Sequence, residues 1–169
     1  MYIMGMRGIN YYFSWFIRYF VVYLVIHLLC SVILARRFDY VPFHVMFLVF
    51  ILFDIAIIIQ NFFIQVFLTR AKIGVIISLL FFLVQFILSF IAVNSDNPSL
   101  SVNRAVSIIP HVGIILAFRT MLYCQSFQLD ANFSDVFNDY VIGYAFMGFF
   151  INIVLYLILT WYLDQVVPN

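Results

Sequence analysis

The run VPFHVMFLVFILFDIAIIIQNFFIQVFL at residues 41–68 decides the fold. It contains a single formally charged side chain, Asp54, and a basic segment follows it at residues 69–72. A helix needs roughly 20 consecutive apolar residues to cross the hydrocarbon core of a bilayer. Pro42 suits the first turn of such a helix, because the N–H that proline lacks would have no helical partner there. The run therefore predicts a transmembrane helix over residues 41–68.

Three further apolar runs lie on either side of this segment, and each is long enough to cross a bilayer. Hydrophobic residues make up 67% of the 169-residue chain and charged residues 9%, whereas soluble domains have about 45–50% and about 25%. The sequence predicts an all-α, polytopic membrane protein, with lipid as the solvent for most of the chain. The three further predicted spans cover residues 11–35, 73–93 and 140–161.

A weaker apolar stretch at residues 101–129 is predicted to form a re-entrant helical hairpin instead of a fifth span. Arg119 would lie near the middle of any span drawn here, at a cost of about 3 kcal/mol or more. Pro110 would remove a backbone hydrogen bond and break the helix. Two short helices that meet near Pro110, and that enter and leave by the same face, satisfy both constraints. The predicted architecture is therefore four transmembrane helices and one re-entrant hairpin.

Charge and motifs exclude several classes of function. The net charge of +1 provides no basic stripe for a nucleic acid. The sequence has no phosphate-binding Gly-x-x-x-x-Gly-Lys loop, no glutamate and no ligand spacing among its histidines. Cys30 and Cys124 fit neither a metal motif nor a disulfide framework. The sequence predicts that this chain is not an enzyme and holds no metal or cofactor.

Four polar side chains stand out at predicted membrane depth. Arg18 and Asp54 differ in depth by roughly 5 Å at 1.5 Å per residue, so they are predicted to form an ion pair across an antiparallel helical hairpin. Such a pair either fixes helix packing or takes part in moving a substrate. Asn61 and Gln65 share a helix face and are predicted to form interhelical hydrogen bonds, worth about 1 kcal/mol each or less. A proton or ion pathway along Asp54 and Asn61 would need more charged residues in register than the sequence supplies.

Four short motifs occur along the chain: residues 4–6 with 12–16, residues 62–63 with 69–72, residues 109–110, and WYLDQVVPN at residues 161–169. Together they resemble the transmembrane domain of the A subfamily of ABC transporters, the lipid exporters, which is an ABC-2 type membrane domain. The first three resemble, in that order, the entry to the third span, the close of the fourth span and the step between two short helices after the fifth. WYLDQVVPN is similar to the segment that leads from that family's sixth span to its nucleotide-binding domain.

The resemblance implies an orientation, a set of partners and a source of energy. The chain would match spans three to six, with Arg7 and Asp164 cytoplasmic and the hairpin exofacial. The remaining spans, a large extracellular domain and the ATPase domain would lie outside this chain, so ATP would act through an absent nucleotide-binding domain. Implied partners are that domain, a second transmembrane domain, the lipid bilayer and a lipid substrate.

Two functions from different classes follow from these observations. The first is the membrane-spanning part of an ATP-driven transporter that translocates lipid, with aromatic-rich helices forming part of a lipid-facing groove. The second is a structural or regulatory membrane protein, derived from a truncated transporter, that pairs with other helices and moves nothing. A phosphate-binding loop encoded shortly downstream would distinguish the first from the second.

Overall fold

The computed structural model describes residues 8–66, 71–94, 106–131 and 141–166, and these residues form an all-helical fold. Four of the five helices in this part of the chain are long and apolar enough to cross a membrane: Asn10–Ala35, Phe43–Val66, Gly74–Ala92 and Ile142–Val166. The four coincide with the four predicted spans and indicate a membrane protein. The helices are α1 (Gly8–Ala35), α2 (Phe43–Val66), α3 (Ala71–Asn94), α4 (Pro110–Phe127) and α5 (Val141–Val166).

Several helix boundaries differ from the predicted ones, and two of the differences have a local cause. Helix α2 begins at Phe43, and the carbonyl of Pro42 accepts the N–H of Val45 at 3.1 Å, so the proline caps the helix from just outside it. Helix α5 continues to Val166, beyond the predicted end at residue 161. No glycine or proline occurs between Trp161 and Pro168, so nothing stops the helix at the end of its apolar run.

Helices α2, α4 and α5 form the centre of the bundle. Their shared core contains fully buried side chains from all three helices, such as Met46, Met121 and Phe149. In contrast, 6% of the apolar window of α1 and 11% of that of α3 are buried, against 50% for α2. Because lipid tails are as apolar as these side chains, the exposed faces of α1 and α3 are suited to lipid or to further helices.

Side-chain hydrogen bonds identify the two ends of the bundle. At the first end, the Tyr12 hydroxyl on α1 donates to Asp164 Oδ1 on α5 at 3.2 Å, so the start of α1 lies beside the end of α5. We call this the terminal end. At the opposite end, which we call the loop end, the N–H of Tyr40 donates to Gln125 Oε1 at 3.3 Å, and the N–H of Ala131 donates to the Tyr40 carbonyl at 3.0 Å. Helix α4 therefore ends beside the loop between α1 and α2.

Helix α4 begins at the predicted break. Ile109 is its N-cap in an extended conformation and Pro110 occupies its first turn, where a missing N–H is tolerated. At its end Gln128 adopts a left-handed conformation, with φ of 55°, and the N–H of Leu129 donates to the Cys124 carbonyl at 2.9 Å. The first half of the predicted hairpin, at residues 101–105, lies outside the described residues.

The turn that precedes α4 packs against the middle of α5. Ser107 Oγ donates to the Tyr144 carbonyl at 3.3 Å, and Asn152 Nδ2 donates to the Ile108 carbonyl at 3.2 Å. Gly148 lies between these two contacts, about 10 Å along α5 from its loop end at 1.5 Å per residue. A Cβ atom at Gly148 would lie 2.3 Å from the Ser107 carbonyl oxygen. Ser107 is buried in this contact, whereas the side chain of Ile108 is 36% exposed.

Candidate functional site

A cavity of about 330 Å³ lies among α1, α2, α3 and α4. Its volume is at the lower end of the range for small-ligand sites, about 300–1,000 Å³. Rings of Phe53, Phe81 and Phe82 form much of its apolar wall. Its polar lining comes from all four helices and consists of Tyr23, His27, Asp54, Gln60, Asn61, Ser78 and His111.

The buried carboxylate of Asp54 is hydrogen-bonded to His27 in this cavity. The Nδ1 of His27 lies 2.8 Å from Asp54 Oδ2, so the pair shares one proton in a hydrogen bond between α1 and α2. Asp54 is 2% exposed. The imidazole stacks on the ring of Phe50, with centroids 4.5 Å apart. A carboxylate this deeply buried is stable only with partners that hold its charge.

A second buried polar group in the same wall lacks a hydrogen-bond partner. Gln60 is 4% exposed, and its Oε1 has no partner among the described residues. A buried acceptor left unpaired costs about 1–3 kcal/mol. Gln60 lines the cavity beside Asn61, but its Oε1 has almost no accessible surface and lies against protein atoms.

Helix α4 contributes the imidazole of His111 to the cavity wall, and a side chain of α3 holds this ring in place. His111 lies in the first turn of α4, and its Nδ1 is hydrogen-bonded to Gln85 Oε1. The edges of its ring contact Phe53 and Phe82, with centroids 5.7 Å and 4.7 Å apart. Burial lowers the pKa of His111 below its usual value. In the neutral ring Nδ1–H donates to Gln85, which leaves Nε2 as a hydrogen-bond acceptor.

The predicted Arg18–Asp54 ion pair is wrong. Among the described residues Asp54 pairs with His27, and the Arg18 guanidinium lies over the Trp15 ring on α1, 5.3 Å from the ring centroid. Arg18 and His27 are nine positions apart, which is about two and a half helical turns. They therefore project from opposite faces of α1, and at this depth His27 faces α2 whereas Arg18 is exposed.

The other predicted polar residues fall into three separate places. Gln65 Nε2 donates to the Tyr11 hydroxyl on α1 at 3.4 Å, near the terminal end. Asn61 lines the polar cavity. Pro110 is buried in the first turn of α4, and Arg119 is on the exposed side of the same helix. The structure therefore brings Asn61 to Asp54's cavity and leaves Gln65 and Arg119 outside it.

A second opening, which we call the terminal groove, lies between α1, α2 and α5 at the terminal end. It has a volume of about 650 Å³. Its walls are mostly aromatic or aliphatic, and its polar rim includes the hydrogen-bonded Tyr12 and Asp164. The two openings lie on different faces of α2, because this groove uses Ile59 and Phe62 whereas the polar cavity uses Gln60 and Asn61. The remaining apolar lining is Phe13, Phe16, Leu157 and Trp161.

Sequence reasoning missed both histidines of the polar cavity. No two histidines have a metal-ligand spacing, so the sequence predicts no role for them. Within the described residues, no group of three His, Cys, Asp or Glu side chains could hold a metal ion. A signal for His27 was present, since it lies at a depth close to that of Asp54 across the α1–α2 hairpin. No comparable signal exists for His111, because its position depends on how α4 inserts.

No family model matches this chain, and no curated protein is similar to it.

Proposed function

We propose that this chain is the membrane-spanning part of an ATP-driven transporter that translocates lipid. The terminal groove is the observation that supports this function best. It offers aromatic and aliphatic walls to an acyl chain, and a polar rim at one end to a head group. Lipids are amphipathic in the same direction, with the polar end at the membrane surface and the chain at depth.

The position of the groove fits the orientation that the resemblance implies. The terminal end would face the cytoplasm, where the segment at residues 161–169 would lead to an ATPase domain outside this chain. A groove formed by α1, α2 and α5 changes shape when α5 moves relative to the other two helices. Movement of α5, driven by the ATPase domain, would therefore open or close the groove around the lipid.

Helix α4 is proposed to be the second limb of a re-entrant, exofacial hairpin. Its C-terminal end lies beside Tyr40 at the loop end, whereas the turn before it contacts the middle of α5 around Gly148. Non-helical backbone at membrane depth is tolerated only where protein or a cavity surrounds it. The burial of Ser107 and the hydrogen bond from Asn152 to the Ile108 carbonyl support such a placement of the turn.

Lipid occupancy of the terminal groove is tested by photocrosslinking. The purified chain in nanodiscs that contain a photoactivatable phospholipid is expected to crosslink in the peptide that contains Leu157 and Trp161. Leu157→Trp fills the groove and should lower that crosslink at least fivefold. Leu155→Trp is the matched control, because Leu155 is similarly exposed, 47% against 50%, but does not line the groove.

Equal crosslinking in the wild type and in Leu157→Trp would mean that the lipid is an ordinary boundary lipid. That result would favour the alternative function, a structural or regulatory membrane protein that transports nothing.

The hairpin makes a separate prediction about topology. With Cys30 and Cys124 replaced by alanine, single cysteines at Asp39, Asp96 and Asp130 are expected to react with an impermeant reagent in intact cells. A cysteine at Gln165 is expected to be protected. Labelling at Asp96 with protection at Asp130 would show that residues 101–129 cross the membrane, and would contradict the hairpin.

A further inference from the structure

We infer that the polar cavity among α1, α2, α3 and α4 binds a small organic ammonium ion. This inference is independent of the lipid groove, since the cavity lies on another face of α2. The observations behind it are a buried carboxylate, polar side chains from α2 and α4, and a wall of aromatic rings.

The charge of the cavity favours a cation. Asp54 is 2% exposed, and His27 is the one side chain within ion-pair distance among the described residues. A carboxylate has two oxygens and about four acceptor positions, so one hydrogen bond leaves most of them unused. Arg18 cannot supply the missing positive charge, because it projects from the opposite face of α1. A bound cation would supply that charge.

The remaining lining selects an organic cation. Phe53, Phe81 and Phe82 present aromatic surface to the cavity, and the face of an aromatic ring attracts ammonium groups by about 0.5–2 kcal/mol. Asn61 also lines the cavity, with an amide oxygen that accepts hydrogen bonds, and in the neutral His111 ring Nε2 is an acceptor. These acceptors suit a ligand that carries hydrogen-bond donors as well as charge. A molecule the size of choline, with one quaternary nitrogen and one hydroxyl, fits within about 330 Å³.

The test compares choline with 3,3-dimethylbutan-1-ol, which has the same shape without the charge. Binding to the purified chain in neutral maltoside micelles is measured by calorimetry. Choline is expected to bind at least tenfold more tightly than its uncharged analogue. This comparison uses the wild-type chain, so it does not depend on whether a variant folds. Equal binding of the two, or no binding of choline, would overturn the inference.

Two variants locate the site. Asp54→Asn should lower the affinity for choline at least tenfold, whereas Asp39→Asn makes the same chemical change at an exposed loop position and should leave it unchanged. Equal loss in both variants would place the bound choline elsewhere and would also overturn the inference.

The ammonium group could come from a free cation or from a lipid head group. Competition with dihexanoylphosphatidylcholine, and with dihexanoylphosphatidylglycerol as the control, distinguishes the two sources. Displacement of choline by the phosphatidylcholine alone would identify a head-group site. No displacement by either lipid would identify a site for the free cation.

Discussion

His27→Leu is expected to destabilise the bundle by about 3–5 kcal/mol, because it leaves the carboxylate of Asp54 buried without its partner. Asp54 is 2% exposed and lies about 16 Å along α2 from the start of that helix at 1.5 Å per residue. The measurement is the free energy of unfolding in mixed micelles with an increasing fraction of sodium dodecyl sulfate.

A double-mutant cycle separates the pair from the two single effects. The double variant of His27→Leu with Asp54→Leu should be more stable than His27→Leu alone, since it removes the isolated charge together with its partner. Arg18→Leu is the matched control for a basic residue on α1. Its effect should add to that of Asp54→Leu, because Arg18 contacts Trp15 on the outer face of the helix.

Coupling of Asp54 to Arg18, with additivity between Asp54 and His27, would contradict the observed pairing. It would restore the interaction that depth alone predicted from the sequence.

The number and approximate limits of the spans could be predicted from the sequence because they depend on run length. A bilayer requires about 20 apolar residues, and four runs meet that requirement whatever their neighbours are. The start of α4 could also be predicted, because proline is disfavoured in the interior of a helix and tolerated in its first turn. Both properties are local, so no knowledge of packing was needed.

The pairing of side chains could not be predicted from depth alone. Depth permitted Arg18 to reach Asp54, but the helical rotation between Arg18 and His27 places them on opposite faces of α1. A choice between them requires the face that α1 turns toward α2. Contacts such as Tyr12 with Phe62, whose ring centroids lie 5.4 Å apart, fix that face. Aromatic residues occur on every side of α1, so its apolar pattern does not show which face packs against α2.

The polar cavity depends on contacts that are distant in sequence. His111 reaches Gln85 because the turn before α4 lies against α5, and this turn requires a residue without a side chain at position 148. The sequence shows a glycine there but does not show which segment approaches it. One glycine in an apolar helix is compatible with lipid, with another helix or with a turn.

The approach of the turn to α5 yields the last prediction. Gly148→Ala is expected to destabilise the protein by about 3 kcal/mol, at the upper end of overpacking effects. Its Cβ would lie 2.3 Å from the carbonyl oxygen and 2.7 Å from the carbonyl carbon of Ser107, and backbone atoms cannot rotate away. Gly113→Ala should cost less, about 1 kcal/mol, because its Cβ would lie 2.9 Å from the same oxygen and 3.1 Å from the ring of Phe149, which are less severe contacts.

Met147→Ala provides the matched control for this series, since Met147 precedes Gly148 on α5 and is 60% exposed. Its unfolding free energy in mixed micelles should stay within about 0.5 kcal/mol of the wild type, as for surface substitutions in general. A displaced turn would also move His111 at the start of α4, so Gly148→Ala should weaken choline binding in the fraction that still folds. Stability of Gly148→Ala equal to that of Met147→Ala would mean that the turn does not rest on α5. Helix α4 would then enter the bundle by another route, and the wall that His111 gives to the cavity would be lost with it.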